Sequence, residues 1–431
     1  MQASRLKAKN SLFIAGAAAF CIYFCMYAFR KPFSAATYDG QLVWGYGLKD
    51  ILVVAQIGGY MLSKLIGVKV VSEMTRGRAA LVLVGLILFA ELALAGFAFV
   101  PIALKPFMLF LNGLPLGMVF GLVLLFLEGR KQTEALSAAL CASFIISSGA
   151  VKSIGSSLIE DWQVPEFQMP MLTGLIFLLP LIVSVWVLTW TPPPSDEDRE
   201  ARTDRGPMSS EQRWQFFRSY WPGLSLMILV YIALTVLRTV RDDFGVEIWR
   251  DMGVAKEPKV FVNCETVVAF FVVTFNAAAI WIRHHLSAIR IISISICLAF
   301  GLSILAAWLR SIGAISPFAF MVACGVGLYI PYVAFHTTLF ERLVAASAKP
   351  GNLVFLLYLA DSTGYLGYTA IVVVKSFWWS PDEVLSLFMY LLWGIAGFSI
   401  IAMFAALIYF ERTLKDESGT ESAADIVEPG A

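Results

Sequence analysis

Long apolar runs separated by short polar breaks organise this chain from end to end. A membrane-spanning helix needs about 20 mostly apolar residues, and runs of that kind occupy 11–37, 49–72, 79–100, 107–127, 136–159 and 171–191. After a polar interval, six more follow at 223–243, 260–282, 288–309, 316–339, 352–376 and 384–410. The second half therefore repeats the first. The pattern predicts an all-α membrane protein of twelve transmembrane helices in two pseudo-symmetric six-helix bundles, over 1–191 and 223–411. The interval 192–222 is rich in Pro, Ser and charges of both signs and reads as a soluble linker. Residues 412–431 read as a disordered acidic tail.

Composition agrees with that class. Hydrophobic residues make up 59% of the 431, charged residues only 15%, and the mean hydropathy is +0.76, too apolar for a water-soluble chain of this size. A net charge of +1 excludes a polybasic nucleic-acid binder. The six cysteines, Cys21, Cys25, Cys141, Cys264, Cys297 and Cys324, lie inside apolar runs without metal-binding spacing and read as small buried hydrophobes. Neither a metal nor a cofactor is expected.

Basic residues set the expected orientation. Arg5, Lys7, Lys9, Arg76, Arg78, Arg130, Lys131, the linker arginines, Arg283 and Arg290 fall on one side, with Arg342, Lys349, Arg412 and Lys415. The other side carries chiefly Lys49, Lys105, Arg250, Lys256, Lys259 and Arg310. Both termini are accordingly expected in the cytoplasm. Short loops without N-x-S/T sequons favour a bacterial inner membrane. Six plus six helices around a long cytoplasmic linker is the layout of a two-bundle transporter.

The informative residues are the charges inside spans, because one at the bilayer centre costs about 2.5–3.5 kcal/mol on insertion scales. Tyr23, Tyr27, Arg30 and Ser34 recur at helical spacing in span one, as do Gln56, Tyr60 and Lys64 in span two. Span seven carries Thr235, Arg238 and Asp242 on one stripe, with Arg241 and Asp243 beside it. Arg30 and Arg238 lie at similar depths in spans that a two-fold axis along the membrane normal would make equivalent, so they are expected to face one cavity. Two guanidinium forks suit a multivalent oxyanion, phosphate above all. Against this stands an ion-pair reading, Arg30 with Glu265 or Lys31 with Asp243, which would only fix helix packing.

The segments Tyr27-x-x-Arg30-Lys31-x-Phe33 and Gly59-Tyr60-Met-Leu-Ser63-Lys64 resemble the first two helices of the organophosphate:phosphate antiporters of the major facilitator superfamily. Leu237-Arg238 with Asp243, Glu265, Tyr329-x-Pro331 with His336, and Gly364-Tyr365-Leu366-Gly367 extend the resemblance, patchily, to the second half. It implies that Arg30 and Arg238 bind phosphate and that Lys64, Tyr23, Tyr27 and Tyr60 line the site. His336 and Tyr365 join the candidate solute-binding residues. Acids matching Asp243 and Glu265 would form ion pairs that change during transport, with Lys31 as a partner.

Three departures qualify the resemblance. Where the family has a substrate-binding histidine in span five, this chain offers Lys152, a permanent cation and a further candidate solute-binding residue, beside Ser143, Ser147 and Ser148. The gating loop after span two has Glu73 and Met74 in place of its usual Asp and Arg, keeping only Arg78. Asp361 shares a stripe with Tyr358, Tyr365 and Tyr368 and reads either as a proton carrier or as a partner of Lys152 or Lys64. Glu91, isolated in span three, is unassigned. The expected function is a secondary active transporter of a small anionic solute, an organic phosphate exchanged for phosphate, working as a monomer in the bilayer without nucleic acid. A sugar-phosphate sensor of the same fold and a proton-coupled carrier of another solute stand as alternatives. With no H-E-x-x-H or G-x-S-x-G motif, an enzyme is not expected.

Overall fold

The computed structural model describes residues 2–72, 74–127, 133–191, 210–254, 257–279, 282, 284–347, 351, 353–378 and 383–427. They are almost entirely helical. In the first half α1 spans Gln2–Arg30, α2 Leu48–Ser72, α3 Arg76–Phe99, α4 Lys105–Leu127, α5 Thr133–Glu160 and α6 Met169–Thr189. A short helix α7, Ser210–Ser219, lies within the interval read as a linker. There follow α8 Trp221–Asp243, α9 Gly245–Asp251, α10 Lys259–Ala279, α11 His285–Ser311, α12 Pro317–Ala334, α13 Phe340–Ala346, α14 Leu353–Trp378, α15 Val384–Leu391 and α16 Gly397–Val427. The last helix covers most of the segment read as a disordered tail. A two-residue hairpin pairs Leu42–Val43 with Tyr46–Gly47.

Among the described residues nine helices are long and apolar enough to cross a membrane, and Ile14–Arg30 is a shorter apolar stretch. Helix ends follow local chemistry. The hydroxyl of Ser316 accepts from the Ala319 amide at 3.2 Å and Pro317 opens α12. Gly253 and Gly313, at φ +80 and +72, close α9 and α11 in the left-handed region that glycine tolerates. Two π-helical turns, Phe335–Leu339 and Leu392–Ala396, interrupt the last spans without breaking them.

The chain divides into two compact units. The first comprises Met1–Thr203, Arg241–Ala269 and Thr369–Leu385; the second Asp204–Val240, Phe270–Tyr368 and Ser386–Ala431. In the first, α2 and α4 meet backbone to backbone: a Cβ on Gly113 would lie 2.3 Å from the Gln56 carbonyl oxygen, and one on Gly59 2.1 Å from that of Phe110. Such contact is available only to residues without side chains. It fixes the face of α2 that carries Gln56 and Tyr60.

Buried ion pairs explain why segments of the second half belong to the first unit. Lys375 Nζ lies 2.8 and 3.1 Å from the Asp50 carboxylate oxygens, with Ser376 Oγ donating to the same group at 3.2 Å. Lys49 is paired with Glu247, and the Leu385 amide donates to Asp251 at 3.1 Å. Lys49 therefore is not the solvated loop charge that its position at a span edge implies. Lys105 is also buried, donating to the Phe97 carbonyl at 2.6 Å and lying 4.0 Å from the Phe167 ring centroid.

Two stability predictions follow from this packing. Lys375→Met leaves Asp50 buried and uncompensated, a loss of about 3–5 kcal/mol, and adding Asp50→Asn recovers most of it, read by thermal unfolding of detergent-solubilised protein. Gly113→Leu drives a side chain into the Gln56 carbonyl and is expected to cost at least the roughly 1–3 kcal/mol of core overpacking, read in the same assay.

Candidate functional site

The end of α1 positions the candidate residues of the first unit. Pro32 cannot donate a backbone hydrogen bond, so the α-helix stops at Arg30 and the chain continues as a 3-10 turn over Pro32–Ala35. Carbonyls freed at a helix end need new donors. Gln56 Nε2 donates to the Arg30 carbonyl at 2.7 Å and to Asn112 Oδ1 at 2.8 Å, while Asn112 Nδ2 donates to the Phe29 and Ala90 carbonyls at 3.0 and 3.1 Å. Polar residues of α2 and α4 thus hold the turn of α1 that carries Arg30.

The Arg30 guanidinium is buried and stacks on Tyr60 with its carbon 3.9 Å from the ring centroid; Tyr27 is at 5.9 Å. Lys64 Nζ lies 5.1 Å from the same Tyr60 ring, and Tyr23 packs edge-on against Tyr27 at 5.8 Å. The structure therefore gathers Tyr23, Tyr27, Arg30, Tyr60 and Lys64 into one group. Ser34 is not on this stripe. It sits beyond the helix end, its hydroxyl donating to the Lys31 carbonyl at 2.8 Å, because the Pro32 turn resets the helical phase.

That turn also separates Arg30 from its neighbour in sequence. Lys31 Nζ is paired with Asp243 and lies 2.7 Å from Asp242 Oδ2. Lys152 approaches the other oxygen of Asp242 at 2.5 Å and bonds its carbonyl, while Ser148 donates to the same carboxylate. Lys152 is thus placed in an ion-pair cluster, with Asp242 as its partner, in the first unit. Glu265 Oε1 lies 2.8 Å from Arg241 Nη1. The sequence reading named the Lys31–Asp243 pair, which the structure contains, but not the contacts of Lys31 and Lys152 with Asp242 or of Arg241 with Glu265.

In the second unit the Arg238 guanidinium carbon lies 4.3 Å from the Tyr332 ring centroid and 6.0 Å from that of Tyr329. Gly364 and Gly367 let α14 close on α8, since a Cβ at either would lie 2.7 Å from Thr235 Oγ1 or 2.5 Å from Ile232 Cγ2. This approach brings Asp361 to Tyr231, whose hydroxyl donates to Asp361 Oδ1. His336, in the π-helical turn, has Nε2 3.8 Å from that oxygen. Tyr365 is buried on α14, whereas Tyr358 is 38% exposed and does not share that environment.

Tyr231 and Tyr332 are site residues that the sequence reading did not single out; their only signal is helical spacing from Arg238 and His336. Arg78 is exposed at the start of α3, and Glu73 lies outside the described residues. Glu91 is buried against Gly174 of α6, and neither carboxylate oxygen has a hydrogen-bond partner among the described residues. Among those residues no group of three or more His, Cys, Asp or Glu is placed to hold a metal.

Known structures show where this architecture recurs. The chain aligns with the crystal structure of the nucleoside transporter NupG at a TM-score of 0.60 and 13% identity, covering 93% of this chain and 99% of that one. The crystal structure of a D-xylose-proton symporter aligns at 0.60 and 11% identity, covering 92% and 96%. At this identity the likeness shows the fold alone, and the chain shares it with these transporters: an all-α architecture of membrane-spanning helices, the major facilitator fold expected from the sequence. No curated protein matches by sequence. A family described as of unknown function, DUF5690, matches residues 32–413, and the chain belongs to that family.

Proposed function

We propose that this protein is a secondary active transporter that moves a small anionic solute, an organic phosphate exchanged for inorganic phosphate, with Arg30 and Arg238 as its anion-binding groups. The observation that carries the reading is the same arrangement in each unit: a buried guanidinium stacked on a tyrosine ring, Arg30 on Tyr60 at 3.9 Å and Arg238 on Tyr332 at 4.3 Å. A ring face attracts the guanidinium beside it, and the planar fork of N–H donors on an arginine suits bidentate contact with phosphate oxygens; Arg238 Nη2 also donates to Thr239 Oγ1 at 3.3 Å. Lys64, 5.1 Å from the same Tyr60 ring, supplies a third cationic side chain.

In this reading Lys31, Lys152, Asp242, Asp243, Arg241 and Glu265 do not bind solute. Their ion pairs open and reform as access alternates, and a solute drives that exchange only through differential affinity for the two states. Transport rather than catalysis is favoured by the neighbours, which are transporters by description. The distribution of basic residues supports a cytoplasmic location for both termini, and short loops without N-x-S/T sequons support a bacterial inner membrane.

Purified protein in liposomes loaded with labelled phosphate tests the proposal, with unlabelled phosphate, glycerol 3-phosphate or glucose 6-phosphate outside. Efflux is expected only with an external phosphate compound. Arg30→Ala and Arg238→Ala should each lower it about a hundredfold or more, the scale of losing a charge-assisted bidentate contact worth roughly 3 kcal/mol, while the folded yield holds. Wild-type exchange in either variant removes that arginine from the site; tight binding without flux would make the protein a sensor.

A further inference from the structure

We infer that Tyr231, His336 and Asp361 form a proton-binding site, with His336 Nε2 as the atom that takes the proton, and that its occupancy is coupled to solute binding at Arg238. The coupling rests on the transport reading above; the proton site itself does not.

The tautomer follows from one contact. His336 Nδ1 lies 2.9 Å from the Tyr332 carbonyl oxygen. A carbonyl can only accept, so Nδ1 carries hydrogen, and in the neutral ring Nε2 is left with a lone pair. That lone pair faces acceptor-rich surroundings: Nε2 is 3.8 Å from Asp361 Oδ1 and 3.4 Å from the Tyr231 hydroxyl, whose own hydrogen is directed to Asp361. One proton from water bonding to Nε2 gives an imidazolium opposite a carboxylate and takes the group from a net charge of −1 to zero. Water can supply it, because the His336 and Asp361 side chains retain 18% and 15% exposure.

The backbone is shaped around this atom. His336 lies inside the π-helical turn Phe335–Leu339, a distortion that recurs at functional sites because it re-aims side chains that a regular helix would bury. Within the second unit the titratable and charged side chains on the surrounding elements are Tyr231 and Arg238 of α8, Cys324, Tyr329 and Tyr332 of α12, Glu341 and Arg342 of α13, and Tyr358, Asp361, Tyr365 and Tyr368 of α14. Helix α11 carries His285, Arg290 and Arg310 near its ends, with Arg290 paired to Glu411.

Coupling to the solute runs through Tyr332. Its ring centroid is 4.4 Å from that of His336 and 4.3 Å from the Arg238 guanidinium carbon. A proton on His336 therefore adds positive charge one ring away from the arginine, which strengthens oxyanion binding there; by reciprocity the bound anion strengthens proton binding by the same factor.

The chain has three histidines, so 15N NMR of imidazole-labelled protein in nanodiscs can follow His336 alone, assigned with His336→Gln. At alkaline pH the proton should be on Nδ1. Acid should add a second to Nε2, and Asp361→Asn should require about tenfold more hydrogen ion for that step, the effect of removing one opposite charge. If Asp361→Asn does not fold, Tyr231→Phe, which releases the carboxylate from its hydroxyl partner, should lower the requirement instead. A proton on Nε2 at alkaline pH, or titration unchanged in the folded variants, overturns the proton site whether or not any solute is carried. In liposomes loaded with unlabelled phosphate, an inward pH gradient should speed the entry of labelled phosphate by exchange in wild type and not in Asp361→Asn; gradient-insensitive exchange in both overturns the coupling and leaves the exchanger reading standing.

Discussion

A charge within an apolar helix has to find a partner before the helix can rest in hydrocarbon, and the architecture of the first unit is organised by that constraint. Lys31, Lys49, Asp50 and Lys152 come from the first half of the chain. Their partners Asp242, Asp243, Glu247 and Lys375 come from the second. The segments bearing those partners, Arg241–Ala269 and Thr369–Leu385, are held in a unit otherwise built from the first 203 residues. The boundary between units falls inside α8, between Val240 and Arg241, one residue before the aspartates that meet Lys31. Charge pairing, not chain continuity, decides which unit a segment joins.

Buried ion pairs are a poor source of net stability, because desolvation consumes most of the Coulombic gain. What they provide is selectivity: the right partners cost little and the wrong ones cost several kcal/mol. Asp242 illustrates it, accepting from Lys31, Lys152 and Ser148 at once. An element of this kind can be exchanged for water during a conformational cycle at modest expense, whereas an apolar interface of the same area could not.

Much of this was legible in the sequence, and the limits have physical causes. Apolar runs give the helices, since length and hydropathy are local properties. The stripes Tyr23–Tyr27–Arg30 and Tyr60–Lys64 are also local and meet in space, because Gly59 and Gly113 set α2 where Gln56 can cap the end of α1. Ser34 fails because one proline resets the helical phase. The partnerships of Lys49 with Glu247 and Lys375 with Asp50 join residues 198 and 325 positions apart, a distance over which periodicity carries no information. Tyr231 and Tyr332 escaped notice because tyrosine is ordinary in a membrane helix, and only their contacts with Arg238, His336 and Asp361 give them significance.

Tyr332 ties these contacts to one physical argument. A ring face is a limited resource for cations: its quadrupole attracts a guanidinium and an imidazolium alike, and each weakens what it offers the other. Arg238 already lies over this ring while His336 packs beside it. Protonating the histidine therefore raises the local positive charge and at the same time loosens the hold of the ring on the arginine. Both effects favour an oxyanion as the next partner of Arg238. Tyr60 contacts both Arg30 and Lys64 in a comparable way, but there the second group is an amine and not an imidazole. The two units thus differ in one respect with chemical consequence: beside the tyrosine that holds the arginine stands a lysine in the first and a histidine in the second.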